Sequence, residues 1–352
     1  MQNRALEIAR EDTREVLKGR AERLARLRGG TLVVTGGTGF FGTWIAETVS
    51  TLNDDYSFGI RLVLVSRSTD QFRALRPHLA GRKDISLVKA DVRHLIEVPK
   101  ETNWLIHAAG NPDSRFHASN PVETMTVISG GIESVLRAVD RCSDFNMFLN
   151  LSSGLVYGAQ PLDLQRMPES YGGAPRSGAI TSVYAEAKRY AETVCAAARS
   201  QARIPVVTVR PFAFIGPYHS LDTPWAINSF IRDALSGNPV RVLGDGQTVR
   251  SYMYPSDAAL WTLAMLTGGA TGQEYNLGSP EEITLENLAR LVAGHFRAQP
   301  EIRLCCGPAG LNQRSRFVPD VGAAERALGL DITVGIERAV ARTIEWNREQ
   351  RR

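Results

Sequence analysis

A phenol, an ammonium and a hydroxyl occupy positions from which they could together move a proton. Tyr184 and Lys188 stand four apart in Tyr184-Ala185-Glu186-Ala187-Lys188, so a helix would present both on one face. An ammonium near a phenol stabilises the phenolate and lowers its pKa from about 10, each unit corresponding to about 1.4 kcal/mol. Ser153 follows a short apolar run in Leu151-Ser152-Ser153-Gly154-Leu155-Val156-Tyr157-Gly158, and its hydroxyl could hold the same substrate oxygen. The chemistry would be proton removal from an alcohol. Singly, each residue has an ordinary structural reading: a turn serine, a packed tyrosine, a solvated lysine. Their order behind a glycine-rich first turn is what makes the combination specific.

That first turn is Thr31 to Trp44, TLVVTGGTGFFGTW. An apolar run is followed by Gly36, Gly37, Gly39 and Gly42, then by an amphipathic pattern. It reads as strand, tight turn and helix, and fits G-x-G-x-x-G from Gly37 or G-x-x-G-x-x-G from Gly36. Such glycines let backbone approach a pyrophosphate, and the next helix aims its N-terminal amides at the phosphates. A second strand, Arg61 to Val65, ends in Ser66-Arg67-Ser68. An acidic residue there would hold the ribose hydroxyls of NAD; Asp54 and Asp55 precede the strand and are badly placed for this. Arg67 could face a 2′-phosphate, which favours NADP slightly over NAD.

Short apolar strands continue at Ile85 to Lys89, Trp104 to His107, Met147 to Leu151 and Pro205 to Val209, with helical stretches at 121–140 and 181–200. The alternation predicts an α/β doubly wound parallel sheet, with ligands at the carboxyl ends of its strands. Strands Val240 to Leu243 and Glu301 to Leu304, and helices near 222–236, 284–297 and 334–348, would form a smaller α/β lobe over the cleft. The division expected is a helical extension over 1–28, a dinucleotide-binding domain over 29–211 that also receives 250–278, and a substrate lobe from 212–249 and 279–348.

Composition excludes several classes. The chain has 352 residues, net charge +4, 43% hydrophobic and 22% charged residues, which is ordinary for a soluble globular protein. Nothing demands nucleic acid or an acidic membrane, and no apolar run approaches a membrane span. Cys142, Cys195, Cys305 and Cys306 have no metal-ligand spacing and read as reduced thiols of a cytoplasmic protein; no metal site is expected. In residues 1–28, Leu6, Val16, Leu17, Leu24 and Leu27 form a loose apolar stripe among charges, which suggests a solvated helix laid on the domain surface.

With these residues in place, the chain resembles the extended short-chain dehydrogenase/reductases, the NAD(P)-dependent nucleotide-sugar epimerases and dehydratases. The resemblance runs from about Gly30 to Trp346. It rests on TGGTGFFG (35–42), Ala90-Asp91-Val92, IHAAG (106–110), SSGLVYG (152–158), Tyr184 with Lys188, RPFAFIGP (210–217), GDGQTVRSYMYPSD (244–257) and YNLGS (275–279). It implies that Tyr184 is the catalytic acid or base, that Lys188 binds the nicotinamide ribose and lowers the Tyr184 pKa, and that Ser153 fills the catalytic Ser/Thr position. It implies cofactor contacts from Gly36, Thr38, Gly39, Phe40, Phe41 and Gly42 around the pyrophosphate, and from Ser66 and Arg67. Asp91 and Val92 would meet the adenine; Ala108, Ala109, Gly110 and Pro211 would complete the site. The implied substrate is a nucleoside-diphosphate sugar oxidised at C4, met by Ser153, Gly154, Ala213 and His219, with Arg250 on the diphosphate.

Departures narrow the activity. Gly154 and Leu155 stand where the 4,6-dehydratases carry Asp-Glu, so dehydration is disfavoured. Ala213 replaces the usual Asn of R-P-x-N-x-x-G-P, and the usual Asn near Ile128 is missing. A cofactor-retaining epimerase is the leading expectation. A 4-ketoreductase or dehydrogenase with net NADP(H) turnover is the alternative, and a dinucleotide-binding protein without activity comes last because it would not need the base. The resemblance also implies a homodimer through helices 121–140 and 181–200.

Overall fold

The structure, a computed structural model, describes residues 2–95, 97–305 and 316–351; Cys306 lies outside them. Helix α1 (Gln2–Leu17) leads into β1 (Thr31–Thr35), α2 (Phe40–Tyr56), β2 (Arg61–Ser66), α3 (Thr69–Leu75), α4 (Pro77–Ala80), β3 (Ile85–Lys89) and β4 (Thr102–His107). Next come α5 (Ser114–Ser119), α6 (Pro121–Val139), β5 (Met147–Leu151), α7 (Val183–Gln201), β6 (Val206–Pro211), α8 (Ala226–Leu235), β7 (Val240–Leu243) and β8 (Val249–Arg250). The chain ends in α9 (Pro255–Gly268), β9 (Glu274–Leu277), β10 (Ile283–Thr284), α10 (Leu285–Gly294), β11 (Ile302–Cys305), β12 (Arg316–Phe317), α11 (Gly322–Leu328) and α12 (Ile336–Arg351).

Seven strands make one parallel sheet in the order β3-β2-β1-β4-β5-β6-β9. This is the expected doubly wound, Rossmann-type sheet. Alternation along each strand feeds two apolar layers. Val33, Leu105 and Phe148 pack toward Ile132 of α6 and Ala191 of α7; Leu32, Val34, Ile106 and Leu149 pack toward Trp44 of α2 and Leu260 of α9. Strands buried on both faces read as continuous apolar runs, which is why they were legible. The order reverses between β1 and β4, and the carboxyl ends on either side of that point open into the crevice where such sheets bind ligands.

There are two small sheets, β10-β8-β12 and β11-β7, and the first reaches the crevice through Arg250 and Phe317. Arg250 belongs to the three-stranded one, in register with Ile283 and Phe317. Strand β9 returns to the main sheet beside β6.

The N-terminal helix differs from a solvated helix on the surface. Ala5, Ile8, Ala9, Val16 and Leu17 are buried, and α1 packs against α2, α9 and α12. Asp12 is buried too; its carboxylate accepts from Tyr254 Oη at 2.5 Å and from Arg342 Nε at 3.1 Å. The reason is the inner face: it lies over the outer side of the α2/α9 layer, with Asp12 the one carboxylate it buries there and its other charges partly or fully exposed. No helix among the described residues is long and apolar enough to cross a membrane.

Candidate active site

The glycine turn closes because its glycines cannot be replaced. Gly36 has φ +69°, and a Cβ there would meet the Ala108 carbonyl oxygen at 2.6 Å. The turn is thereby seated against the end of β4, and the backbone at Gly36 and Gly39 is exposed to the crevice with no side chain of its own in the way. That cradle fits a dinucleotide pyrophosphate, delivered to the first turn of α2. Gly42 departs from the expectation. It does not line the crevice; a Cβ on it would meet the Gly37 oxygen at 2.2 Å, so it is a glycine for close packing of helix on turn.

The crevice is a single cleft of about 810 Å³. Its lining includes Gly36, Thr38, Gly39, Phe40 and Phe41 from the first turn, Ser66 and Arg67 from β2, Asp91 and Val92 after β3, Ala108, Ala109 and Gly110 after β4, and Pro211 from β6. Ser153, Tyr184, Lys188, Ala213, His219 and Arg250 line it as well. Thr38 Oγ1 donates to Ser66 Oγ at 2.6 Å, and no carboxylate ends β2. Arg67 is exposed at the rim, 3.7 Å from Glu123. Arg93 grips Asp91 through Nη2 at 2.6 Å and holds its carboxyl down to about 2.

Ser153 sits at the carboxyl end of β5 in extended conformation and caps a short 3₁₀ turn, its Oγ accepting from Leu155 N at 3.1 Å. Tyr184 and Lys188 lie one turn apart on α7, as their spacing predicts. The electrostatics differ from the expectation that Lys188 lowers the Tyr184 pKa. Burial pushes the phenol up to about 12, and the hydrogen bond with Ser153 opposes it. Lys188 Nζ is 5.8 Å from the ring centroid and donates to the Leu151 carbonyl at 2.7 Å. Its own charge is disfavoured: burial lowers it to about 8, against the attraction of Glu192. Desolvation is the largest influence on both groups here.

Behind the pair runs a polar support. Arg210 Nη2 meets Glu192 Oε2 at 2.7 Å and its Nη1 meets Tyr157 Oη at 2.9 Å; Tyr157 Oη donates to Asn276 Oδ1 at 2.8 Å. Asn276 then donates to the carbonyls of Met167 and Asp320 at 2.8 and 2.9 Å. The network ties α7, β6 and β9 to the chain that enters α11. His107, buried on β4, shares a 2.8 Å hydrogen bond with Thr35 Oγ1, and burial lowers it to about 3.

One expected substrate residue, Gly154, is placed differently, while His219 is in the cleft as expected. Gly154 does not line the cleft: a Cβ on it would meet the Phe212 ring at 2.8 Å, so the ring fills that space. His219 lines the cleft, with its ring stacked on Phe40 at 3.6 Å and edge-on to Trp225 at 4.9 Å. Burial holds it at about 3, and its Nδ1 has no partner.

One residue was missed. His117 of α5 stacks on the Tyr184 ring, centroids 4.4 Å apart and planes within 9°. Its Nε2 lies 2.6 Å from the Asn111 carbonyl oxygen. The signal available was its place in the loop after β4, a strand end facing the crevice.

The family model described as the NAD dependent epimerase/dehydratase family matches residues 32–278. UDP-glucuronic acid decarboxylase 1 of Xenopus tropicalis is 26% identical over 319 residues, covering 91% of this chain and 72% of that protein. Among solved structures, the dTDP-glucose 4,6-dehydratase of Streptomyces venezuelae with NAD bound superposes with TM-score 0.78 at 22% identity, covering 91% of this chain and 98% of that one. The UDP-glucose 4-epimerase of Thermotoga maritima superposes with TM-score 0.77 at 19% identity, covering 92% and 100%. The sheet order, the glycine cradle and the family match agree: the chain belongs to the NAD dependent epimerase/dehydratase family.

Proposed function

We propose that the protein is a nucleotide-sugar epimerase that oxidises its substrate at C4 and reduces it again on the other face. The observation that carries this is the convergence of Ser153, Tyr184 and Lys188 in the same cleft as the Gly36–Gly39 cradle. When bound, the nicotinamide dinucleotide supplies the hydride acceptor. Tyr184 takes the proton of the C4 hydroxyl on its phenol oxygen. Ser153, which lines the cleft with Tyr184, holds the same substrate oxygen. Lys188, fixed by the Leu151 carbonyl, keeps a positive charge near the phenolate that forms and reaches the cofactor ribose. Arg250 offers its guanidinium to the diphosphate.

Several features support these roles. The relatives and structural neighbours carry names of nucleotide-sugar enzymes. Ring carbon in place of a carboxylate beside Ser153 disfavours 4,6-dehydration. The carboxylate-free end of β2 with Arg67 favours NADP over NAD. Replacing Arg67 with Ala should weaken NADP more than NAD by about 1.5–3 kcal/mol; equal weakening of both sets that preference aside.

The test incubates protein, cofactor and a panel of UDP- and dTDP-hexoses. Product inverted at C4, with no net change in nicotinamide absorbance, supports the epimerase. Stoichiometric consumption of reduced or oxidised cofactor replaces it with the ketoreductase or dehydrogenase.

A further inference from the structure

The wall beside the proposed reacting oxygen is carbon. Ser153 Oγ accepts from the amide of Leu155, so Leu155 is the first side chain along the chain from that hydroxyl, and it lines the cleft half-buried. Phe212 fills the space over Gly154 and stacks on Phe317 at 4.4 Å and 28°. Both rings line the cleft. They belong to a small apolar cluster with Val156 and Met167. Across the cleft, Phe41 and Phe214 meet edge to face at 5.0 Å.

The charges are elsewhere. Among the described residues lining the cleft, the Lys and Arg side chains are Arg67, Lys188 and Arg250. Arg67 stands at the β2 end beside Glu123. Lys188 is bonded to the Leu151 carbonyl. Arg250 is the group assigned to the diphosphate. The polar side near Tyr184 is His117, whose Nε2 is engaged by Asn111.

We infer that the substrate is a nucleoside-diphosphate 6-deoxyhexose, its C5 methyl group resting on the Leu155–Phe212–Phe317 wall. This rests on the reading that places the C4 oxygen between Ser153 and Tyr184. C6 is two bonds from C4, so its substituent must meet the surface next to that pair. A methyl group gains contact with ring carbon there. A hydroxymethyl group leaves its hydroxyl without a partner on the wall, and a carboxylate would be desolvated with no cation left to meet it among the described residues lining the cleft. The consequence separates this chain from relatives that are named for glucuronic acid.

The experiment compares 6-deoxyglucose, glucose and glucuronic acid, each as the uridine and the thymidine diphosphate and each deuterated at C4, with the wild-type protein and nicotinamide cofactor. Formation of the C4-inverted sugar, which regains its label from the cofactor, is followed for each. The 6-deoxy sugar should exceed glucose in kcat/KM by about tenfold to a hundredfold, the range by which an apolar pocket sorts a missing or added group. Glucuronic acid should fall about a thousandfold below the 6-deoxy sugar. In Leu155→Gln, whose amide gives the C6 hydroxyl a partner, the ratio of 6-deoxy sugar to glucose should shrink. Inversion that is as fast or faster with glucuronic acid keeps the C4 chemistry and overturns the deoxy-sugar assignment. An unchanged ratio in Leu155→Gln also overturns it, by removing Leu155 from the C6 wall. No inversion at C4 in any of the three sugars, with the nucleotides bound, overturns the C4 reading itself and the inference with it.

Discussion

At the residue scale, the pair Tyr184 and Lys188 is held in a state that costs stability. Burial lowers Lys188 from 10.5 to about 8, so the folded protein holds this proton less tightly than the unfolded chain does. Its contribution is therefore fully present above the unfolded value and lost as pH falls through about 8. At neutral pH the buried charge costs on the order of 3 kcal/mol. Lys188→Met removes that cost, offset by about 1–3 kcal/mol for the Leu151 carbonyl left without its donor. It should abolish turnover yet melt at or above the wild-type temperature; a melting point lower by several degrees contradicts this. In wild type, kcat/KM should fall as pH rises through about 8, where Lys188 gives up the charge that faces the phenolate. Lys188→Arg keeps its charge and should lack that limb. His117 acts on the other partner. Its stack fixes the Tyr184 ring, and such ring pairs contribute about 0.5–1.5 kcal/mol beyond buried area. His117→Ala should lower kcat by roughly three- to tenfold with cofactor affinity unchanged, and His117→Phe should restore most of it. A Phe variant as slow as the Ala variant would remove the positioning role.

At the element scale, α6 and α7 each serve two surfaces. Their inner faces pack on the sheet through Ile132 and Ala191. Their outer faces expose Val122, Met125 and Tyr190, an apolar set in the place where a second copy would dock. The proposed homodimer buries these faces. Light scattering should give twice the chain mass, and Met125→Glu should shift it toward the monomer; a concentration-independent monomer in wild type removes the dimer. The same elements explain what sequence could tell. Strand-turn-helix units repeat with strong apolar periods, so β1 to β6 and the residues at their ends stood out. Tyr184 and Lys188 share a helix, so spacing alone placed them together. Phe212 and Phe317 are stacked although far apart in sequence, and Phe317 belongs to a two-residue strand with no period to detect. His117 sits on a six-residue helix with no buried residue, too short and too exposed to show a period of its own. The pKa of Tyr184 was misread because spacing reports proximity to Lys188 but not the loss of solvent around both groups.

At the scale of the whole molecule, the cleft is made by two parts that do different work. The main sheet supplies the glycine cradle, Ser153 and, through α7, Tyr184 and Lys188. The three-stranded sheet brings Arg250 and Phe317, and the segment before α8 brings His219 and Trp225, to the same cleft. The Arg210–Glu192–Tyr157–Asn276 network and the Asp12–Tyr254–Arg342 contacts join distant parts of the chain around the core. The central claim is that this assembly removes a proton from a sugar C4 hydroxyl through Tyr184 while its hydride leaves. Tyr184→Phe keeps the ring and its stack on His117 and removes only the phenol oxygen. The decisive measurement follows C4-deuterated nucleotide sugar with wild type and Tyr184→Phe, reading label on the nicotinamide. The account predicts transfer in wild type and a rate lower by roughly 10²–10⁴ in the variant, with cofactor affinity nearly unchanged. Transfer at an undiminished rate in Tyr184→Phe would contradict it.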